Sequence, residues 1–75
     1  MISSNVSLIF VTIVSIITLE GAFEKALDMY SEAIFCKVPK KTKAVYYSNR
    51  AFVNIKLENY AIALFDANES ISCDS

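Results

Sequence analysis

The sequence has no histidine and no tryptophan, and only one glycine, one proline and two cysteines in 75 residues. Without histidine, the commonest general base and the commonest metal ligand are both missing. Two cysteines cannot complete a zinc site without unusual carboxylate help, and they are too few for a disulfide-dense secreted scaffold. No catalytic residue, metal ligand or cofactor site can be nominated, so an enzyme is a poor reading. One glycine and one proline exclude a collagen-like or Pro/Gly-rich chain. A net charge of −1 offers no field to draw in nucleic acid. With 55% hydrophobic residues, the chain is not a disordered charged tail either. The length fits one small domain or a piece of one. A chain of this size buries only about 60% of its unfolded surface, so its stability is thin.

Charge is also missing locally. Residues 1–19 carry none, and all seven basic and eight acidic side chains fall in residues 20–75. The first block sets Ile9, Val11, Ile13, Val14, Ile16 and Ile17 among Ser7, Thr12, Ser15 and Thr18. It admits several readings. As a membrane span or signal anchor it is short and interrupted by hydroxyls. As a cleaved signal it lacks a basic start, and Glu20-Gly21-Ala22 is a poor cleavage site. As a strand it has the right β-branched residues but no evident partner. As a helix packed on the next one it has Phe10, Ile13, Val14 and Ile17 at helical spacing.

The second block has clearer periodicity. Phe23, Ala26, Leu27, Tyr30, Ala33 and Ile34 predict one helix face, ending between residues 35 and 37 ahead of Pro39. Lys37, Lys40, Lys41 and Lys43 then read as a solvated basic connection, favourable after a helix C-terminus. Residues 44–56 read as a helix with Tyr46, Tyr47, Ala51, Phe52 and Ile55. A break follows at 57–59, and then a helix with Tyr60, Ala63, Leu64, Ala67 and Ile71. The expectation is an all-α chain of about three to four antiparallel helices joined by turns.

The helical part repeats itself. Gly21 aligns with Glu58, an offset of 37, so that Phe23 faces Tyr60, Ala26 faces Ala63, Leu27 faces Leu64 and Ile34 faces Ile71. Small residues at fixed places let two helices approach, and the aromatic fills the space beside them. Cys36 and Cys73 also correspond. Equivalent positions on stacked units lie roughly 8–10 Å apart, too far for a disulfide, so both are expected as buried, reduced thiols.

Gly21, Phe23, Ala26, Tyr30 and Ala33, and then Tyr47, Ala51, Tyr60, Ala63 and Ala67, form a pattern that resembles the tetratricopeptide repeat. That unit is a helix–turn–helix of about 34 residues; the surplus is expected in the lysine connection. The resemblance covers residues 21–74, with the second half of one repeat at 21–39 and a second repeat at 44–74. Within the family, Tyr46-Tyr47-Ser48-Asn49-Arg50-Ala51 and residues 60–67 are most similar to the repeat domain of the type-five serine/threonine protein phosphatases.

The resemblance implies a non-catalytic protein–protein interaction module with a carboxylate clamp for the acidic C-terminal tails of heat-shock chaperones, as in co-chaperones. Asn49 matches a clamp asparagine, with Arg50 beside it as a second partner-binding position. The lysine and asparagine that the family places on the preceding helix are absent from residues 6–19, so the clamp is incomplete and tail binding is expected to be weak. Asn54 stands where the family prefers a bulky side chain, which puts the packing of the second repeat in question. Repeats bury their faces only against neighbours, so self-association through exposed ends is a further expectation. Reduced thiols suit the cytoplasm, with a membrane-anchored form as the alternative if residues 1–19 span a bilayer.

Overall fold

A computed structural model describes residues 2–74, with side chains described for residues 9–73. It contains α1 (Ile2–Leu19), α2 (Phe23–Phe35), α3 (Lys40–Lys56) and α4 (Tyr60–Asp74), and no strand among the described residues. The helices form two antiparallel pairs, α1 with α2 and α3 with α4, and the second pair lies against the first through α2 and α3.

The two reversals inside the pairs are the same motif. Gly21 has φ 86° and Glu58 has φ 63°. The Gly21 amide donates to Thr18 O at 2.9 Å and the Ala22 amide to Ile17 O at 3.2 Å. The Glu58 amide donates to Ile55 O at 3.0 Å and the Asn59 amide to Asn54 O at 2.8 Å. Each pair of bonds satisfies carbonyls that the helix end would leave open, and each needs one left-handed residue. The alignment of Gly21 with Glu58 is therefore a conformational equivalence. A Cβ at Gly21 meets nothing within 4 Å, so its substitution is opposed only by the backbone. Gly21→Ala is expected to lose about 1–2 kcal/mol, and Glu58→Gly to gain about 0.5–1 kcal/mol, in chemical denaturation.

The lysine segment departs from the sequence reading. Pro39 caps α3 with φ −58°, and Lys40, Lys41 and Lys43 lie in the first turn of the helix, not in a loop. Proline's fixed φ suits a helix entrance, and lysine is a good helix former. The surplus over the family period therefore lengthens α3. The lysines sit at the positive end of the helix dipole, the reverse of the favourable placement.

The core joins both pairs. Val14, Ala26, Tyr30, Ile34, Tyr46 and Val53 form one buried cluster, with Phe10 and Ile17 packed on its edge. Phe10 meets Tyr30 and Tyr46 edge-on, with ring centroids at 5.8 and 5.4 Å. Charge-free α1 thus packs on its neighbours through Phe10, Val14 and Ile17, while Ile13 is turned outward. At about 1.5 Å per residue, its 18 residues span about 27 Å, short of a bilayer's roughly 30 Å. Among the described residues no helix is long and apolar enough to cross a membrane. The buried Thr18 hydroxyl donates back to Val14 O at 2.9 Å, which is how a hydroxyl is tolerated on the inner face.

Cys36 is exposed rather than buried, because it lies at the C-terminal cap of α2; Cys73 is half-buried, and both thiols are free.

Candidate peptide-binding groove

Residues of α1 and α3 line a groove, with α2 contributing to its floor. Ser15, Thr18 and Leu19 come from α1, Asn49, Phe52 and Val53 from α3, and Tyr30 from below. The open space is about 190 Å³. Sites for whole small molecules run to roughly 300–1,000 Å³, so this one suits a single side chain. None of these residues is charged. The ammonium of Lys56 stands over the Phe52 ring at 5.3 Å.

Asn49, the clamp match, reaches the groove half-buried, and it lines the space together with Ser15 and the buried Tyr30. Burial pushes the Tyr30 pKa up, against the lowering influence of the neighbouring Asn49 and Ser15 side chains. A folded-state pKa above the free value of about 10 means that the folded chain holds its proton more tightly. Stability from this group is full below pH about 10 and falls as pH rises through the folded pKa. Tyr30→Phe should therefore flatten the alkaline limb of a stability–pH profile while lowering stability near neutrality by about 1 kcal/mol.

Arg50 points elsewhere. Its Nε donates to Asp66 Oδ2 at 3.0 Å and its Nη2 to Asp66 Oδ1 at 2.7 Å, a bidentate pair. Its Nη1 donates to Ser31 Oγ at 3.1 Å. The guanidinium also lies over the Tyr47 ring at 5.4 Å. Arg50 thus ties α3 to both α4 and α2, and these bonds hold it away from the groove.

Asn54 resolves the question its position raised. Its Nδ2 donates to Asp66 Oδ2 at 3.0 Å, and its Oδ1 accepts from Asn59 Nδ2 at 3.4 Å. A bulky apolar side chain there would leave a buried carboxylate short of a donor. Nothing periodic in the sequence marks Asp66 as the hub of this network. The one signal was a polar residue at a core position of α3.

Of the repeat signature, Ala26 and Tyr30 on α2, Ala51 on α3 and Ala63 on α4 are buried. Phe23, Ala33, Tyr47 and Ala67 are half-buried, and Gly21 makes the turn. Tyr60 is exposed, because the described residues place no further helix beside it. Among the described residues no group of three potential metal ligands comes together.

No known family's sequence profile matches the chain, and no solved structure matches it. Similarity is found to protein unc-45 homolog B. Identity is 40% over 53 residues of the Xenopus laevis protein, covering 71% of this chain. It is 42% over 57 residues of the Danio rerio protein, covering 73% of this chain, and 36% over 53 residues of the Xenopus tropicalis protein, covering 71%. The chain spans about 6% of the length of these relatives. Together with the four-helix architecture, this similarity makes the chain an all-α helical-repeat protein, and it supports that broader reading rather than the type-five phosphatase resemblance.

Proposed function

We propose that the chain is a non-catalytic protein–protein interaction unit of the tetratricopeptide type, co-chaperone-like, that receives an extended peptide between α1 and α3. The observation that carries this reading is the groove itself: a one-side-chain space lined by uncharged residues, with half-buried Asn49 at its edge and buried Tyr30 beneath. An asparagine amide can bond a peptide backbone, and an apolar recess can take one aliphatic or aromatic side chain. No residue lining the groove is a cation, and the Lys56 ammonium over the Phe52 ring supplies one charge beside it, not the set of a carboxylate clamp. A tail carboxylate placed there would lose hydration against one solvent-exposed ammonium instead of several converging donors. Acidic chaperone tails are therefore weak ligands, and neutral peptides with an apolar anchor are better ones. The similarity to protein unc-45 homolog B supports the repeat character of the unit.

The test is an amide chemical-shift titration of the chain with two peptides, one ending in an acidic chaperone-type tail and one neutral with a central leucine. The neutral peptide should shift Ser15, Thr18, Asn49 and Phe52, and Asn49→Ala should weaken it about 5–10-fold. The acidic tail should bind no tighter than about 1 mM; micromolar binding of it would overturn the reading.

A further inference from the structure

The geometry points to head-to-tail stacking of copies of this chain, with the outward face of α1 in one copy seated on the outward face of α4 in the next. The argument is the register of the interface already present between the two helical pairs. The offset of 37 that relates Gly21 to Glu58 also relates the end of α1 to the end of α3 and the start of α2 to the start of α4. The pairs are structural equivalents, so any residue used within the chain has a named counterpart 37 positions away.

At the internal interface α3 inserts Tyr46 and Val53, which are 4% and 1% exposed. Their counterparts on α1 are Ile9 and Ile16, apolar and 58% and 52% exposed. The receiving side chain on α2 is Ile34, 8% exposed, with Leu27 packed at its edge. Their counterparts on α4 are Ile71 and Leu64, apolar and 70% and 64% exposed. One chain therefore presents both halves of an interface that it already forms once. A second copy continues that interface in the same register.

Charge agrees with this. Residues 1–19 have no charged side chain, so the inserting face buries none. On the receiving helix Asp66 is committed inward to Arg50 and Asn54. Glu69 corresponds to Glu32, which stays exposed at the edge of the internal interface. Three places fit less closely: Tyr30 corresponds to Ala67, Leu57 to Glu20, and the Arg50–Ser31 bond to Ile13 and Asn68, so the copy-to-copy contact is shallower and weaker than the internal one. Such a contact joins different faces and does not close on itself, so it builds open oligomers.

Sedimentation velocity on the full chain over a concentration series tests this with two variants, Ile16→Glu and Leu64→Glu. Both positions are on the surface, and circular dichroism checks that helicity is kept. Ile9→Lys and Ile71→Lys replace them if either variant is unfolded. The wild-type chain should form a ladder of species beyond the dimer. Each variant alone should associate at least ten-fold more weakly, since a charge would be buried against apolar side chains. Mixed, the two variants still share one intact interface and should give a one-to-one dimer and nothing larger. A wild-type chain that stays monomeric, a variant that still oligomerises, or a mixture that forms no dimer would each overturn the stacking. So would a monomer that uses the α1 face only to bind phosphatidylcholine vesicles.

Discussion

Arg50→Ala is expected to cost about 3–5 kcal/mol and to abolish the cooperative melt followed by circular dichroism. Asp66 is 0% exposed, and its two carboxylate oxygens take both forks of the guanidinium and the Asn54 amide. Without Arg50 the carboxylate keeps one neutral donor, and its charge is left in the interior uncompensated. Domains hold only about 5–15 kcal/mol in all, and one this small sits low in that range. The same change frees Ser31, so α3 loses the Arg50 bonds to both neighbours at once. The double variant Arg50→Met with Asp66→Leu removes both charges, and it should lie within about 1–2 kcal/mol of the parent. An Arg50→Ala chain that melts within a few degrees of the parent would show that the pair does not hold the helices.

Tyr30→Ala is the second large effect, about 3–5 kcal/mol. Tyr30 fills the junction of three helices: its ring meets Phe10 of α1 at 5.8 Å and Tyr46 of α3 at 6.2 Å. Removing it leaves a cavity whose walls are rigid helices, which collapse poorly. It also removes the floor of the groove beneath Asn49. The expected sign is a lost melt for Tyr30→Ala against a modest downshift for Tyr30→Phe, which keeps the ring. Equal melting of the two variants would mean that the hydroxyl, not the ring, carries the contribution.

Much of the fold was legible because helices write a period. Phe23, Ala26, Leu27, Tyr30 and Ala33 recur at the spacing that puts them on one face, and α2 runs Phe23–Phe35 as that face requires. The break at 57–59 was legible from the interrupted periodicity, and the alignment of Glu58 with Gly21 marked the equivalent reversal; that both residues take positive φ was not. The lysine segment was misread, since lysines look like a loop in charge but behave as good helix formers once Pro39 sets the entrance. The helical character of residues 2–19 was one reading among several. Apolar β-branched residues fit a span, a strand or a core helix equally until a neighbour receives them.

The candidate site was legible only at Asn49, through a motif. Ser15, Thr18 and Phe52 reach the groove because α1 and α3 lie side by side, and no local pattern states which helices will be neighbours. Arg50 carried the same motif and went to the opposite task. Its partners Ser31 and Asp66 lie 19 and 16 residues away, on two other helices.

The sequence by itself determined α2, α4 and most of α3, because each rests on residues within a few positions of one another, and the repeat of 37 follows from comparing those local patterns. The tertiary structure alone decided which polar groups are spent inside and which remain for a partner. That choice is made by desolvation. A charge such as Arg50 and an amide such as Asn54 are stable inside where they meet the buried Asp66 carboxylate, and both meetings exist only once the helices are packed.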